Sequence, residues 1–326
     1  MKQFLIIQTA FLGDVILATP LIRELKIQYP DAEIDLLVRK GNEQLVMSNP
    51  HIREVLIWNK KAGKYRQLFS LLKRVRKQKY DEVIGIQRYF NSGLLTALSG
   101  ASSRVGFSEN PLSFLFTRRV PHQFGDGTHE VTRNFELVAH HSLSPTSLRP
   151  ELFPSPENYL KIQPLVQDSF YCFAPASVWF TKQLPLKKWL DLAHHIGSEH
   201  PIYILGGPGD FETCEEVLTQ LPGFNCTNLA GKLNLLESAA LMSKATRNYV
   251  NDSGPLHLSS AMNAPVTAFF CSTVPEFGFG PLSDDSQLLE TTENLECRPC
   301  GIHGHKACPK GHFKCATTLP VEQARY

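Results

Sequence analysis

The chain has 326 residues, of which 42% are hydrophobic and 20% charged, with a formal net charge of +2. That length exceeds one ordinary core and predicts two domains of about 150 residues each, and the composition excludes a disordered chain. No apolar run approaches the roughly 20 residues that cross a bilayer, and the opening MKQFLIIQTAFLGD, broken by Gln8 and Thr9, lacks the cleavage site of a signal peptide, so a cytoplasmic protein is expected.

In chain order, Phe4–Ile7 reads as a first buried strand, followed by a helix from about Val15 to Gln28. Glu33–Val38 is a second strand and Val55–Trp58 a short third. From Lys60 to Lys79 the charged residues are Lys60, Lys61, Lys64, Arg66, Lys73, Arg74, Arg76, Lys77 and Lys79, without one Asp or Glu. Leu68, Leu71, Leu72 and Val75 recur there at helical spacing, which predicts a basic amphipathic helix. Its charge is either a solvated face over a core-packed helix or a surface for anionic lipid or phosphorylated glycolipid, with Lys73, Arg74, Arg76 and Lys77 at its centre. No aromatic interleaving or reading motif points to nucleic acid. Glu82–Ile86 is the next strand, and this alternation predicts a parallel sheet covered by helices.

Between about Ser142 and Leu165 the pattern lapses into a polar stretch punctuated by five prolines, which reads as a linker and divides the chain into domains 1–160 and 161–326. The alternation then restarts with strand Tyr171–Ala174, helix Lys187–Gly197, strand Ile202–Leu205, a turn at Gly206–Gly209 and a helix from about Phe211. Asn248–Val250 and Val266–Phe270 complete a second parallel sheet. Two α/β domains in tandem are expected to place a ligand cleft between them.

Three segments carry candidate chemistry, each just past a strand, where ligands of open α/β sheets bind. In Thr9-Ala10-Phe11-Leu12-Gly13-Asp14, Asp14 stands at a helix start. It is either a cap for free backbone N–H groups or a general base, and a base there must offset the helix dipole by desolvation. In Val250-Asn251-Asp252-Ser253-Gly254-Pro255-Leu256-His257 a strand ends and Pro255 suits the first turn of a new helix. The N–H groups at Ser253 and Gly254 form a ready site for a phosphate, with Asp252 and His257 in the same neighbourhood. The third segment, Ala174 to Lys182, ends in a lysine able to meet a phosphate leaving group. No Walker loop is present, and no G-x-G-x-x-G follows the first strand, which weighs against ATP hydrolysis and dinucleotide redox chemistry.

Taken in order, T-x-x-L-G-D (Thr9 to Asp14), His129-Glu130-Val131-Thr132-Arg133-Asn134, S-x-W-x-T-K (Ser177 to Lys182) and the N-D-S-G-P segment ending at His257 resemble the lipopolysaccharide heptosyltransferases of glycosyltransferase family 9 over nearly the whole chain. The resemblance implies a GT-B fold of two Rossmann-like domains, the first binding the acceptor and the second the nucleotide sugar. It implies metal-independent, inverting transfer of heptose from ADP-heptose to the Kdo or heptose of the inner core, by a monomer at the inner face of a Gram-negative inner membrane. It makes Asp14 the base, Thr181 and Lys182 the holders of the donor phosphates, and Asp252 the contact to the heptose hydroxyls. Ser253, Gly254 and His257 would lie against the diphosphate and Glu237 against the ribose. A related transferase for another sugar nucleotide, or a non-catalytic nucleotide-sugar or glycolipid binder, is the alternative. The sequence departs from the family pattern at Ala176, Leu184 and Cys271, close to the expected donor pocket.

Cys297, Cys300, Cys308 and Cys315 crowd the last thirty residues with His303, His305 and His312. In a cytosolic chain this favours thiolate ligation of a structural zinc over a disulfide framework, although the wider spacing of the second pair leaves zinc, disulfides and free thiols all open. No cofactor is expected for catalysis.

Overall fold

The computed structural model describes residues 1–142 and 145–326; residues 143 and 144 of the proline-rich stretch lie outside it. The chain forms two compact units. The N-terminal one comprises Met1–Phe124 and Thr128–Phe153, the C-terminal one Gly125–Gly127 and Pro154–Tyr326.

The N-terminal unit runs β1 (Gln3–Gln8), α1 (Leu12–Ile16), α2 (Thr19–Gln28), β2 (Glu33–Arg39), β3 (Glu54–Trp58), α3 (Lys64–Gln78), β4 (Glu82–Gly85), α4 (Phe90–Ala97), β5 (Ser103–Phe107), β6 (Arg118–Val120) and α5 (Glu130–Glu136). Its six strands are parallel in the order β3-β2-β1-β4-β5-β6. Phe4 to Ile7 are buried on both faces, as helices on either side of a parallel sheet require. The helix expected from Val15 to Gln28 is instead two helices. Pro20 has no N–H to give and its ring crowds the carbonyl one turn back, so the chain breaks at Leu17–Ala18 and Thr19 Oγ1 donates to the Ile16 carbonyl at 2.7 Å. Strand β6 lacked a readable signal because it is three residues long and carries Arg118 and Arg119 at the sheet edge, and β5 beside it is interrupted by Arg104 and Gly106. Helix α3 buries Leu68, Leu71, Leu72 and Val75, and Lys73, Arg74, Arg76 and Lys77 face solvent.

The C-terminal unit runs α6 (Pro156–Ile162), β7 (Tyr171–Ala174), α7 (Leu186–Ile196), β8 (Ile202–Ile204), α8 (Phe211–Thr219), β9 (Cys226–Asn228), α9 (Leu235–Met242), β10 (Arg247–Asn251), α10 (Gly254–Ala261), β11 (Val266–Phe270), β12 (Ser286–Glu290) and α11 (Lys314–Thr317). Part of the expected linker is thus helix α6. Pro156 stands in its first turn, where a missing N–H costs nothing, and Ser155 and Asn158 cap each other reciprocally. The sheet is again wholly parallel, ordered β12-β11-β10-β7-β8-β9. Counted from its own first strand, that is the same order as in the N-terminal unit, the doubly wound Rossmann order. The core is aromatic: Trp189 lies 5.2 Å from Phe173 and 5.5 Å from Phe269 between ring centres. Leu184 and Cys271 belong to this core, so two of the three departures from the family pattern are packing changes behind the site. No helix among the described residues is long and apolar enough to cross a membrane.

The strand order reverses direction between β1 and β4 in one unit and between β7 and β10 in the other. A crevice opens at such switch points because successive crossovers leave on opposite faces. The segments after β1, β7 and β10 are the three singled out from the sequence.

Candidate functional site

At the N-terminal switch point, the loop after β1 is tied down from several sides. The Thr9 hydroxyl donates to Gln87 Oε1 at 2.8 Å, Asn42 Nδ2 to the Ala10 carbonyl at 3.0 Å, and Lys60 Nζ to the Thr9 carbonyl at 3.1 Å. Asp14 is the third residue of α1, and its Oδ2 accepts the Phe11 N–H at 3.1 Å. It therefore caps the helix start, as one of the two sequence readings had it, though not from the cap position itself. Capping does not make it an ordinary carboxylate. Asp14 is only half-buried by exposure, yet its carboxyl group is closely enclosed by protein. That desolvation, helped by the Glu130 carboxylate, pushes its pKa up to about 6, against the hydrogen bond from Phe11 and the Arg39 charge.

Glu130 is buried and negative. Burial works against its ionised form, but hydrogen bonds and charges from His122 (3.2 Å) and Arg133 (2.9 Å) outweigh it and lower its pKa. Arg133 is fixed in turn by the Gln123 and Thr128 carbonyls. The sequence showed Glu130 within a motif without giving it a role, because its effect on Asp14 is through space. Arg39, stacked 4.8 Å over the Phe11 ring, was missed altogether; a cation ending a strand was the available signal.

At the C-terminal switch point, Lys182 Nζ pairs with Asp252 Oδ2 at 2.7 Å, and the Thr273 hydroxyl donates to the same oxygen at 2.6 Å. Buried Asn251 ties the loop after β7 to β10, donating to the Pro175 carbonyl at 2.8 Å and accepting the Leu184 N–H at 2.9 Å. Thr181 is buried, and its Oγ1 accepts from Ser272 Oγ at 3.0 Å and from the His305 N–H at 2.7 Å. Ser253 holds the cap position of α10 without closing it by its own side chain, with Gly254 as the first helical residue and Pro255 behind it. N–H groups at that start remain available to an anion. His257 lies buried on the same helix. Glu237 lies in the first turn of α9, where its carboxylate accepts the Asn234 N–H at 2.8 Å in a capping box. Lys182, Asp252, Ser253 and Gly254 are thus brought together, and Glu237 already carries a structural bond.

None of the four C-terminal cysteines is in a disulfide. Cys297 Sγ lies 3.7 Å from His312 Nε2, the Cys300 thiol donates to the Cys297 carbonyl at 3.1 Å, and burial pushes the Cys315 thiol up to about 11. Among the described residues the metal-type ligand atoms that converge within 4.8 Å of one another belong to Glu82, His140 and His141 rather than to the cysteines. On α3, Arg74 pairs with Glu54.

The profile of glycosyltransferase family 9 (heptosyltransferase) matches residues 68–308, well over half of the chain. The chain belongs to that family. Lipopolysaccharide heptosyltransferase 3 of Escherichia coli is 30% identical over 290 residues, spanning 81% of this chain and 82% of that protein. Among solved structures, E. coli ADP-heptose lipopolysaccharide heptosyltransferase II is similar with a TM-score of 0.78 and 22% identity, covering 92% of this chain and 96% of that one. The E. coli heptosyltransferase WaaC with ADP-2-deoxy-2-fluoro heptose gives a TM-score of 0.71 and 20% identity, covering 91% and 96%. This family 9 glycosyltransferase therefore has the α/β GT-B fold, and both expected Rossmann-like sheets are present with every strand parallel.

Proposed function

We propose that this glycosyltransferase moves heptose from ADP-heptose to the Kdo or heptose of the lipopolysaccharide inner core with inversion, the N-terminal unit taking the acceptor and the C-terminal unit the donor. The observation that carries the donor half is the Lys182–Asp252 pair, 2.7 Å apart beside the start of α10. It sets a cation and anion-binding N–H groups for a diphosphate next to a carboxylate suited to sugar hydroxyls. The relative named for lipopolysaccharide and the neighbour solved with an ADP-heptose analogue support the choice of sugar and acceptor.

In the reaction, Asp14 accepts the proton of the acceptor hydroxyl as that oxygen attacks the anomeric carbon. The bond from that carbon to the diphosphate oxygen breaks, and its electron pair leaves with ADP. Lys182 and the N–H groups at Ser253 and Gly254 stabilise the departing charge, so no cofactor enters the chemistry. Thr181 orients the phosphate loop, His257 backs the diphosphate and Glu237 meets the ribose. The protein acts as a monomer, and Lys73, Arg74, Arg76 and Lys77 hold it to the anionic inner face of a Gram-negative inner membrane. A structural zinc on Cys297, Cys300, Cys308 and Cys315 is decided by metal analysis of protein purified without chelator.

The test is a nucleotide-sugar panel read by thermal shift, followed by transfer to deacylated core acceptor. Stabilisation by ADP-heptose and transfer of heptose are expected. Stabilisation by a different sugar nucleotide alone would reassign the donor, and binding without transfer would make the protein a non-catalytic nucleotide-sugar binder.

A further inference from the structure

Both halves of the Lys182–Asp252 pair are held by one turn, residues 271–273 after β11. Ser272 Oγ donates to Thr181 Oγ1, fixing the residue before Lys182, and Ser272 N–H donates to the Thr181 carbonyl at 3.2 Å. Thr273 Oγ1 donates to Asp252 Oδ2. This turn makes few bonds within itself. Its carbonyls, with that of Phe270, are taken up by the cysteine-rich segment: Arg298 Nε donates to Cys271 at 2.7 Å, Arg298 Nη2 to Thr273 at 2.8 Å and to Phe270 at 3.2 Å, and the Cys300 N–H to Ser272 at 2.9 Å. Glu290 Oε2, 2.7 Å from Arg298 Nη2, balances the charge. The same segment then returns across Thr181. His305 N–H reaches Thr181 Oγ1, and Gly304 passes so close that a Cβ there would lie 2.9 Å from that oxygen and 3.1 Å from Lys182 Cγ.

A nearly buried guanidinium is costly to desolvate, and here its planar fork is spent almost wholly on the carbonyls of a single turn. That turn's two hydroxyls reach Thr181 and Asp252, both assigned to the donor. We infer that Arg298 is a positioning residue of the donor site: acting through Ser272 and Thr273, it sets the placement of Lys182 and Asp252 against the nucleotide sugar. The segment around Cys297–Cys300 thereby gains a role that does not depend on a metal or on thiol chemistry. The inference rests on the donor reading of Lys182 and Asp252.

Arg298→Lys keeps a charge but loses the fork, Thr273→Val removes the hydroxyl on Asp252, and Thr273→Ser restores it. For Arg298→Lys and Thr273→Val, kcat/KM for ADP-heptose is expected to fall roughly 10- to 100-fold, the cost of a reacting group displaced by about 1 Å, while the acceptor KM stays within about twofold. Thr273→Ser is expected to recover the parent value. A purely structural role would lower the melting midpoint without this split between donor and acceptor parameters. If Arg298→Lys does not fold, the Thr273 pair decides. Donor kcat/KM within about twofold of the parent in folded Arg298→Lys and Thr273→Val would overturn the inference. Lys182→Ala is run alongside with ADP as the probe: unchanged ADP affinity overturns the donor reading and this inference with it, whereas weakened ADP affinity beside parent-like Thr273→Val overturns the inference alone.

Discussion

A carboxyl group that must accept a proton near neutral pH is poorly served by an ordinary aspartate, and Asp14 is not ordinary. Desolvation and the Glu130 charge hold its pKa at about 6, against the ordinary aspartate value of about 3.8. If its ionised form is the base, kcat/KM follows the fraction ionised: about one tenth at pH 5 and about nine tenths at pH 7, a tenfold rise. An unperturbed aspartate would be over nine-tenths ionised at both pH values and would give a ratio of about one. The same shift has a stability consequence of known sign. The folded state binds the Asp14 proton more tightly than the unfolded chain does, so the group's contribution to stability is intact below the unfolded pKa. It falls as pH rises from there through about 6. The deficit above pH 6 is at most about 3 kcal/mol, and solvent access to a half-buried group trims it. Asp14→Asn is isosteric and can still accept the Phe11 N–H. It is expected to abolish transfer, leave ADP affinity unchanged and raise the melting midpoint at pH 7.5 but not at pH 4. The assays are initial rates of transfer from pH 4.5 to 8 and paired thermal melts. A flat profile for the parent between pH 5 and 7, together with no stability gain in Asp14→Asn at pH 7.5, would refute both the enclosed carboxylate and its role as base.

Four further outcomes are expected. Glu130→Gln removes a negative charge near Asp14, so the acidic limb of the rate profile should move to lower pH; leaving Arg133 without its carboxylate should also cost roughly 3 kcal/mol in denaturant unfolding. Lys182→Ala should weaken ADP binding by calorimetry about tenfold or more, since a charge-assisted contact to the diphosphate is lost. Neutralising Lys73, Arg74, Arg76 and Lys77 together should reduce binding to anionic vesicles, most clearly at low salt, and unaltered sedimentation with vesicles would make α3 a solvated face only. Trp189→Ala should cost roughly 3–5 kcal/mol, because the ring stands between Phe173 and Phe269 and the cavity it leaves cannot close.

The sequence by itself determined the two parallel sheets, because strands such as Phe4–Ile7 and Val266–Phe270 are covered on both faces and must be almost wholly apolar. It also marked out the three loops of the candidate site, since in such sheets the loops at strand carboxyl ends are where ligands bind, and their motifs are contiguous in the chain. Helix α6 escaped it because the prolines of that stretch suit a helix start as well as a linker, and only the Ser155–Asn158 cap distinguishes the two. Strands β5, β6, β9 and β12 escaped it; the last three lie at sheet edges, where pairing on a rim asks little of side chains. What the tertiary structure alone decided is everything that acts across the chain. The high pKa of Asp14 arises from enclosure and from Glu130, more than a hundred residues away, and neither leaves a local pattern. Likewise, Ser272, Thr273 and Arg298 matter through hydrogen bonds to Thr181, Asp252 and one another's backbone. A short motif records which groups are present. How strongly each binds a proton, and what holds it in place, depends on neighbours that only folding supplies.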